Sequence, residues 1–239
     1  MQRILIYHGP GVSRSGYQQI VFSLRQEKLP KDCEIASIGS EEIRLGEWKS
    51  RAQLLIFPGG RDVPYHEALR GVANSQIRSF VQQGGAYLGI CAGAYYGSKR
   101  IEFEKGFPLE VIAERELAFF EGKAQGAALG RGEFCYRSER GAQIASLKGS
   151  EGEVFAAYYN GGCAFLEPQL FPAVRVIASY ETGDAAVIAC SVGKGKVVLS
   201  GVHPEYTGNW KQKIPLLQEL KNQEAKRSAL FKRILKELF

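Results

Sequence analysis

The sequence lacks paired cysteine motifs, a secretion signal and any apolar run that approaches the length of a membrane span. Its five cysteines are scattered through 239 residues without a common spacing, at Cys33, Cys91, Cys135, Cys163 and Cys190. An odd number of cysteines without a secretion signal predicts reduced thiols in a cytoplasmic protein. Every apolar run falls short of the roughly 18 residues that a transmembrane helix needs. We therefore predict no disulfides, a cytoplasmic location and no membrane partner.

Nucleic-acid-binding motifs are missing as well. No zinc finger, RNA-recognition signature or basic–aromatic stripe accompanies the net charge of +6. We therefore predict no nucleic-acid partner. No metal and no cofactor are predicted either. Much of the positive charge lies near the C-terminus, at Lys211, Lys213, Lys221, Lys226, Arg227, Lys232, Arg233 and Lys236. This stretch predicts a solvated helix face, with a docking element for a partner protein as the alternative.

The remaining composition is ordinary for a soluble globular protein, with 45% hydrophobic and 23% charged residues. No internal repeat and no low-complexity linker divides the chain, so residues 1–239 are predicted to form a single α/β domain. Apolar runs alternate with helical patterns, which is typical of βαβ units and a mostly parallel sheet. Strands are predicted over 4–7, 33–38, 53–57, 86–90 and 196–200, and helices over 17–26, 68–83 and, as a pair, 214–239.

The middle of the chain, from Phe107 to about Val192, has a different pattern. Helical periodicity fades there, and short β-like runs predict strands over 133–136, 154–158, 174–180 and 186–191. Glycine-containing turns separate some of these runs. We therefore predict a β-rich, antiparallel extension of the main sheet.

The most specific chemical pattern is Gly89-Ile90-Cys91-Ala92-Gly93. A reactive side chain between two glycines, after an apolar strand and before a helix, is typical of a nucleophile elbow. At a helix N-terminus, the dipole and the free amides favour a thiolate and a developing oxyanion. Cys91 is therefore the candidate nucleophile, and the N–H of Ala92 is a candidate oxyanion donor.

His203-Pro204-Glu205 follows the last predicted strand, which ends at the same edge of the sheet as the elbow. Pro204 disfavours the helical conformation for His203 and holds it extended. Glu205 can then accept a hydrogen bond from one ring nitrogen and fix the tautomer. His203 is therefore the candidate base and Glu205 the residue that orients it, with a surface loop as the alternative.

Pro58-Gly59-Gly60 ends another strand at this edge and can turn a backbone N–H toward a pocket. Gly60 is the second candidate oxyanion donor, with a simple tight turn as the alternative. Arg61 and Asp62 follow at once, and they either bind a charged substrate or pair with each other on the surface. The candidates for substrate binding at this edge are Gly59, Arg61, Asp62, Tyr95 and His8.

Two further features leave alternatives open. Residues 9–16 carry two serines and an arginine at a helix start but lack the ending of a P-loop, so they predict either an anion site or a capped loop. Cys163 follows two glycines and is the rival nucleophile. Cys33, Cys135 and Cys190 lie in apolar runs, which predict buried structural cysteines.

Taken in order and spacing, Phe57-Pro58-Gly59-Gly60, the elbow and His203-Pro204-Glu205 resemble the class I glutamine amidotransferase superfamily over roughly residues 1–205. One branch of this superfamily is similar to the chain at residues 9–13, 58–62 and 89–96, at Phe103-Glu104 and at Arg115-Glu116-Leu117. That branch is the amidotransferase-like domain at the N-terminus of eukaryotic biotin–protein ligases, which also occurs as stand-alone bacterial proteins. The resemblance implies a flavodoxin-like three-layer sandwich, a triad of Cys91, His203 and Glu205, and oxyanion donors at Gly60 and Ala92.

Two departures from the family patterns bear on function. Working glutaminases carry a glutamine two residues after the second glycine of the elbow, where this chain has Tyr95, so the resemblance does not extend to glutamine as substrate. Gly130-Arg131-Gly132 lacks the rest of an adenylate-binding loop, so biotin ligation is not expected. The leading prediction is an amidotransferase-like cysteine hydrolase acting on an amide or acyl compound. The alternative is a non-catalytic module whose pocket, narrowed by Tyr95 and Tyr96, binds a metabolite or a partner.

Overall fold

The computed structural model describes residues 2–27, 29, 33–209 and 215–239. The strands within these ranges are β1 (Gln2–Tyr7), β2 (Cys33–Ile38), β3 (Ala52–Phe57), β4 (Ala86–Ile90), β5 (Ser98–Phe103), β6 (Val111–Glu114), β7 (Phe120–Gly126), β8 (Gln143–Gly149), β9 (Val154–Tyr159), β10 (Cys163–Phe165), β11 (Val174–Tyr180), β12 (Ala185–Val192) and β13 (Gly195–Ser200). The α-helices are α1 (Arg14–Gln26), α2 (Ser40–Leu45), α3 (Asp62–Leu69), α4 (Val72–Gln82), α5 (Ala92–Gly97), α6 (Pro215–Lys221) and α7 (Glu224–Leu238), and short 3-10 helices cover Glu47–Ser50 and Pro168–Leu170.

Parallel strands form the first part of the sheet, in the order β2-β1-β3-β4-β13. The strands β2 and β4 have the predicted bounds, and β1, β3 and β13 begin one or two residues before their predicted starts. The carboxyl ends of parallel strands meet at one edge of a sheet. The segments after Tyr7, Phe57, Ile90 and Ser200 therefore lie together at that edge.

Helices cover both faces of this parallel part. Successive side chains of a strand point to opposite faces, so Ile4 and Ile6 pack with residues of α1 and α7, whereas Leu5 and Tyr7 pack with residues of α2 to α5. The flavodoxin-like three-layer sandwich is thus confirmed. Within the described residues, none of the helices has both the length and the apolar character to cross a membrane.

The β-rich extension is also confirmed and begins where β12 pairs antiparallel with β13. From β12 the sheet continues through β10, β7, β5 and β6, while β11, β8 and β9 form a branch. Three of the predicted strands correspond to β9, β11 and β12. The strands β5, β6 and β7 were not predicted. In β5, the adjacent charged residues Lys99 and Arg100 interrupt the alternation of apolar and polar side chains that is typical of a strand. The pairing of β5 with β7 is parallel, so the extension is not purely antiparallel.

The strand predicted over 133–136 is wrong, because these residues form turns and irregular structure. Around them, Gly130, Gly132, Arg137 and Gly141 have φ values of 62°, 81°, 60° and 79°. Positive φ angles are incompatible with a β-strand. The segment therefore leaves the sheet and runs across its carboxyl edge.

The single helix predicted over 68–83 is also wrong, because α3 ends at Leu69 and α4 begins only at Val72. Gly71 between them has φ 76° and ψ −116°, which ends the helical conformation. Its N–H donates a hydrogen bond of 2.8 Å to the carboxylate of Glu116, which fixes the break.

The described part of the C-terminal region consists of α6 and α7, and the predicted positions Lys211, Lys213 and Ile214 lie outside the described residues. Arg227 does not lie on a solvated face, because its side chain is buried and paired with Glu224 at 2.6 Å. The lysines of α7 are exposed, at Lys226, Lys232 and Lys236. This helix is therefore basic only along its outer side.

Tyr7 lies at the centre of a group of aromatic side chains on one face of the parallel strands. Its ring stacks on Phe57 with centroids 4.7 Å apart and meets Tyr65 edge-on at 5.3 Å. Its hydroxyl is buried without a hydrogen-bond partner among the described residues. Burial raises the pKa of Tyr7 to about 12.

The substitution Tyr7→Phe is therefore expected to raise the free energy of unfolding by about 1 kcal/mol, because it removes an unpaired buried hydroxyl. The folded pKa lies above the unfolded value of 10.0, so ionisation of Tyr7 in the unfolded chain lowers the free energy of unfolding as the pH rises from 10 toward 12. In urea denaturation, the wild type should lose more stability than Tyr7→Phe between pH 10 and 12. Equal slopes for the two proteins would contradict this account.

Candidate active site

Cys91 lies between β4 and α5 in a backbone conformation that non-glycine residues rarely adopt, with φ 50° and ψ −104°. The flanking glycines make this turn sterically possible. A Cβ atom on Gly89 would lie within 3.0 Å of the carbonyl of Gly93, and one on Gly93 within 3.0 Å of the carbonyl of Phe57. Both glycines of the pattern are therefore needed for space, and the turn has the geometry of a nucleophile elbow.

The imidazole of His203 links Cys91 to Glu205. Its Nδ1 lies 2.8 Å from Oε1 of Glu205, and Cys91 lies close enough to the ring to affect its pKa. Burial opposes a charge on the ring, but the carboxylate of Glu205 and the neighbouring Cys91 raise the pKa of His203 to about 10. A thiol, an imidazole and a carboxylate in this order form the arrangement of a nucleophile, its base and the group that orients the base.

The segment that carries His203 and Glu205 is held by contacts on several sides. The N–H of His203 donates to the carbonyl of Tyr158 at 2.8 Å, and the hydroxyl of Ser23 donates to the carbonyl of Glu205 at 2.6 Å. The rings of Tyr158 and Tyr206 meet the imidazole edge-on, with centroid distances of 5.7 and 4.9 Å. The position of the base is therefore fixed by β9, by α1 and by its own loop.

Two backbone amides beside Cys91 are available to an oxyanion. Gly60 and Val12 face each other in an isolated bridge that is closed by hydrogen bonds of the flanking residues, so the N–H of Gly60 has no acceptor among the described residues. The N–H of Ala92 has none in this part of the chain either, because first-turn amides of a helix lack intrahelical partners. Gly60 has φ 147°, and a Cβ there would lie within 3.0 Å of the carbonyl of Gly11.

These groups border one cavity of about 1160 Å³ at the carboxyl edge of the parallel strands. Its walls come from the loops after β3 and β4, the start of α1, the loop after β9 and the segment around residues 134–139. The predicted site residues that line it are Cys91, His203, Gly59, Gly60, Arg61, Asp62, Ala92 and Tyr95. Glu205 is fully buried behind His203. The structure therefore brings together every predicted site residue except one.

That exception is His8, and its prediction as a pocket residue is wrong. His8 is exposed, lies outside the lining of the cavity, and packs its ring against Tyr17 of α1 at 4.6 Å. The alternative in which Arg61 and Asp62 pair with each other is also wrong. Asp62 pairs with Arg115 at 2.7 Å, and the guanidinium of Arg61 lies over the ring of Tyr136 instead, 4.8 Å from its centroid.

The other cysteines are separated from Cys91 by their surroundings. Cys163 and Cys190 are buried; burial raises the pKa of Cys163 well above its usual range and that of Cys190 to about 12. The rival nucleophile Cys163 therefore has no open path to a substrate. Cys135 was predicted to be buried, but it is exposed because its segment is not a strand, and Cys33 is only partly buried.

Among the described residues, no group of three or more His, Cys, Asp or Glu side chains could hold a metal ion.

The two tyrosines after the elbow have different positions. Tyr95 lines the cavity, and its hydroxyl donates to the carbonyl of Gly161 at 3.2 Å. Tyr96 is fully buried and donates to the amide oxygen of Asn74. Only the first of them narrows the pocket, so the expectation for Tyr96 is wrong.

One wall of the site, the segment of residues 134–139, was not predicted from the sequence. It contributes Phe134, Tyr136, Arg137 and Glu139 to the lining. The glycines that bracket this segment signal a loop, but its apolar residues were interpreted as a strand. Asn160 was also missed, although its backbone carbonyl accepts a weak hydrogen bond from the Cys91 thiol at 3.8 Å.

Residues 9–16 form a capped loop at the rim of the cavity. The hydroxyl of Ser13 accepts the N–H of Gly16 at 3.3 Å, so α1 begins at Arg14, three residues before its predicted start. The hydroxyl of Ser15 lies 2.9 Å from that of Ser13 and 2.8 Å from that of Tyr206. The N-terminus of α1 therefore borders the same space as Cys91.

Comparison with known proteins gives a consistent family assignment. The family described as biotin-protein ligase, N terminal, matches residues 2–239. An uncharacterized protein of Chlamydia muridarum is 42% identical over 212 residues, which cover 86% of this chain and 81% of that protein. The biotin–protein ligase of Schizosaccharomyces pombe is 36% identical over 244 residues, which cover 98% of this chain but only 37% of the ligase. The chain thus spans little more than a third of the length of that ligase.

Solved structures share the fold at low sequence identity. PurLQS from Thermotoga maritima matches with a TM-score of 0.64 and 16% identity, over 100% of this chain and 99% of that one. A crystal structure of a glutamine amidotransferase matches with a TM-score of 0.58 and 20% identity, over 92% of this chain and 98% of that one. At these identities the likeness concerns the arrangement of strands and helices, not the chemistry.

Proposed function

Because the chain belongs to the biotin–protein ligase N-terminal family and has a glutamine amidotransferase-like fold, we propose that it is a cysteine hydrolase or amidotransferase-like enzyme. Its substrate is an amide or acyl compound that binds in the cavity beside Cys91. The observation that carries the proposal is the strained turn at Cys91, which shares one cavity with the His203 imidazole that Glu205 holds at Nδ1. A cysteine with a purely structural role needs neither a strained turn nor an imidazole partner.

In the first half of the reaction, the thiol proton passes to His203, and the Cys91 thiolate then attacks the acyl carbon. The carbonyl oxygen becomes an oxyanion, which the N–H groups of Gly60 and Ala92 stabilise. His203 then gives its proton to the leaving amine or alcohol as the bond to the acyl carbon breaks. The product of this half is a thioester on Cys91.

In the second half, water or an amine attacks the thioester. His203 removes a proton from the attacking group and delivers it to Sγ as the carbon–sulfur bond breaks, which restores the thiol. Glu205 keeps one tautomer of the imidazole in place and stabilises the imidazolium that forms in each half. The carboxylate needs no proton of its own at any step.

The substrate is proposed to differ from free glutamine. Tyr95 occupies the wall next to the elbow, where its ring meets Phe103 edge-on at 5.7 Å. An aromatic side chain there offers a flat apolar surface and one hydroxyl, which is already bonded to a backbone carbonyl.

The proposal predicts a reactive thiol at Cys91 that depends on His203. At pH 7, iodoacetamide should alkylate Cys91 about tenfold faster or more in the wild type than in His203→Ala, because the thiolate is the nucleophile and an imidazolium stabilises it. The rate for each cysteine is read by peptide mass spectrometry over a time course. Cys163 and Cys190 serve as internal controls that should stay unmodified in the native protein.

The matched variant is His8→Ala, which removes an exposed imidazole outside the cavity and should leave the Cys91 rate unchanged. Equal rates in the wild type and in His203→Ala would contradict the proposed triad. If the rates are equal and a metabolite co-purifies with the wild-type protein, the non-catalytic binding module is favoured instead.

A further inference from the structure

The cavity beside Cys91 carries positive charge that the triad does not use. Arg14, Arg61 and Arg137 line it, and none of them has an ion-pair partner among the described residues. From this cluster we infer that the substrate carries a negatively charged group, a carboxylate or a phosphate, which these arginines bind. The inference rests on the proposed function, because it names the substrate class of the same site.

The acidic side chains of the lining offset only one of the three arginine charges, since Asp62 is paired elsewhere and only the exposed Glu139 remains. Asp62 is paired with Arg115 at 2.7 Å, and its burial raises its pKa even with that partner present. Glu139 accepts a hydrogen bond from the hydroxyl of Tyr158 at 2.8 Å. Each carboxylate is therefore engaged by a different group.

The arginines come from separate elements that converge on the mouth of the cavity. Arg61 follows β3 and rests on the ring of Tyr136, which directly precedes Arg137 in the chain. Arg14 is the first residue of α1, whose N-terminal end adds positive partial charge. A guanidinium that stacks on an aromatic ring is oriented before a ligand arrives, and its planar donors match a carboxylate or a phosphate. The site therefore has both the charge and the geometry to select anions.

Two alkylating reagents of nearly equal size test this selection at Cys91 itself. Iodoacetate carries a carboxylate and iodoacetamide does not, and both form a carbon–sulfur bond with loss of iodide. A free thiolate such as that of N-acetylcysteine repels iodoacetate, which keeps the ratio of the two rates low. For Cys91 we expect the ratio of the iodoacetate rate to the iodoacetamide rate to be about tenfold higher than for N-acetylcysteine at low salt.

The substitutions Arg61→Gln, Arg137→Gln and Arg14→Gln should each lower that ratio about two- to fivefold, as expected for one charge at several ångströms in partly solvated surroundings. High salt should lower the wild-type ratio in the same direction. Arg25→Gln is the matched control, because it removes one positive charge from the far end of α1, outside the cavity lining. Its ratio should equal that of the wild type.

Protection of Cys91 from alkylation by small anions distinguishes a carboxylate site from a phosphate site. Inorganic phosphate and acetate, compared at equal ionic strength, should slow the reaction of Cys91 with iodoacetamide, and the stronger inhibitor assigns the group. An unchanged rate ratio in the triple arginine variant would overturn the inference. Failure of the proposed function has a different signature: the iodoacetamide rate would not depend on His203, while the rate ratio would still fall with the arginines.

Discussion

Replacing Phe231 by alanine is expected to lower the free energy of unfolding by about 3–5 kcal/mol, the range typical for a fully buried phenylalanine. Phe231 has no exposed surface and belongs to the cluster in which α7 packs with β4, β9 and β13. The surrounding strands are held by their own hydrogen bonds, so the space left by the ring will not close. Urea denaturation followed by circular dichroism measures the loss.

The control for this prediction is Lys232→Ala, one residue further along α7. Lys232 is exposed, so its substitution should change the free energy of unfolding by less than about 0.5 kcal/mol. A chain that lacks residues 224–239 should fail to fold, because the apolar side chains of β4, β9 and β13 that pack against α7 would be exposed to water. A small effect of Phe231→Ala, comparable to that of Lys232→Ala, would contradict the packing described for this helix.

The packing of α7 also limits how this helix can bind a partner protein. Its role as a docking element stays a proposal. The apolar side of α7 is used within the fold, so a partner has only the outer side of the helix to bind, where the exposed lysines lie. Any loss of binding in a truncated chain must therefore be separated from loss of folding. Charge reversal at Lys226 or Lys232 is the cleaner test, because neither lysine contributes to the core.

The placement of Cys91, His203 and Glu205 was predictable because its signals are local. A cysteine between two glycines needs only five residues to be recognised, and the structure shows that both glycines are required by contacts with neighbouring backbone. His203 and Glu205 lie two residues apart, so their hydrogen bond also depends on local geometry. The parallel strands were predictable for the same reason, since each is a short apolar run bounded by turn residues.

The wall of the cavity formed by residues 134–139 was not predictable because its position depends on distant contacts. The segment around Tyr136 leaves the sheet through residues with positive φ, and its contact with Arg61 joins positions 75 residues apart. Arg227 was counted among solvated basic residues, although it is buried and donates to the backbone carbonyl of Pro204. In both cases a partner that is remote in sequence decides where the side chain lies.

The substitution Gly59→Ala is expected to reduce the alkylation rate of Cys91 about tenfold or more while the protein stays folded. A Cβ on Gly59 would lie within 3.0 Å of Cε1 of His203. The imidazole has little room to yield, because the rings of Tyr158 and Tyr206 contact it and Glu205 holds Nδ1. The added methyl group should therefore push the ring away from Cys91, and the alkylation rate should fall as it does in His203→Ala.

The control is Gly16→Ala in α1, where a Cβ would meet the carbonyl of Gly59 at 3.5 Å, an ordinary van der Waals contact. This variant should keep the wild-type rate, and it should gain slightly in stability because alanine favours a helix over glycine. The two substitutions add the same methyl group on either side of one contact, but only the one at Gly59 points at the imidazole. A wild-type rate in Gly59→Ala would contradict the position of His203. A loss of folding in that variant would contradict the expectation that the added methyl group displaces only the imidazole.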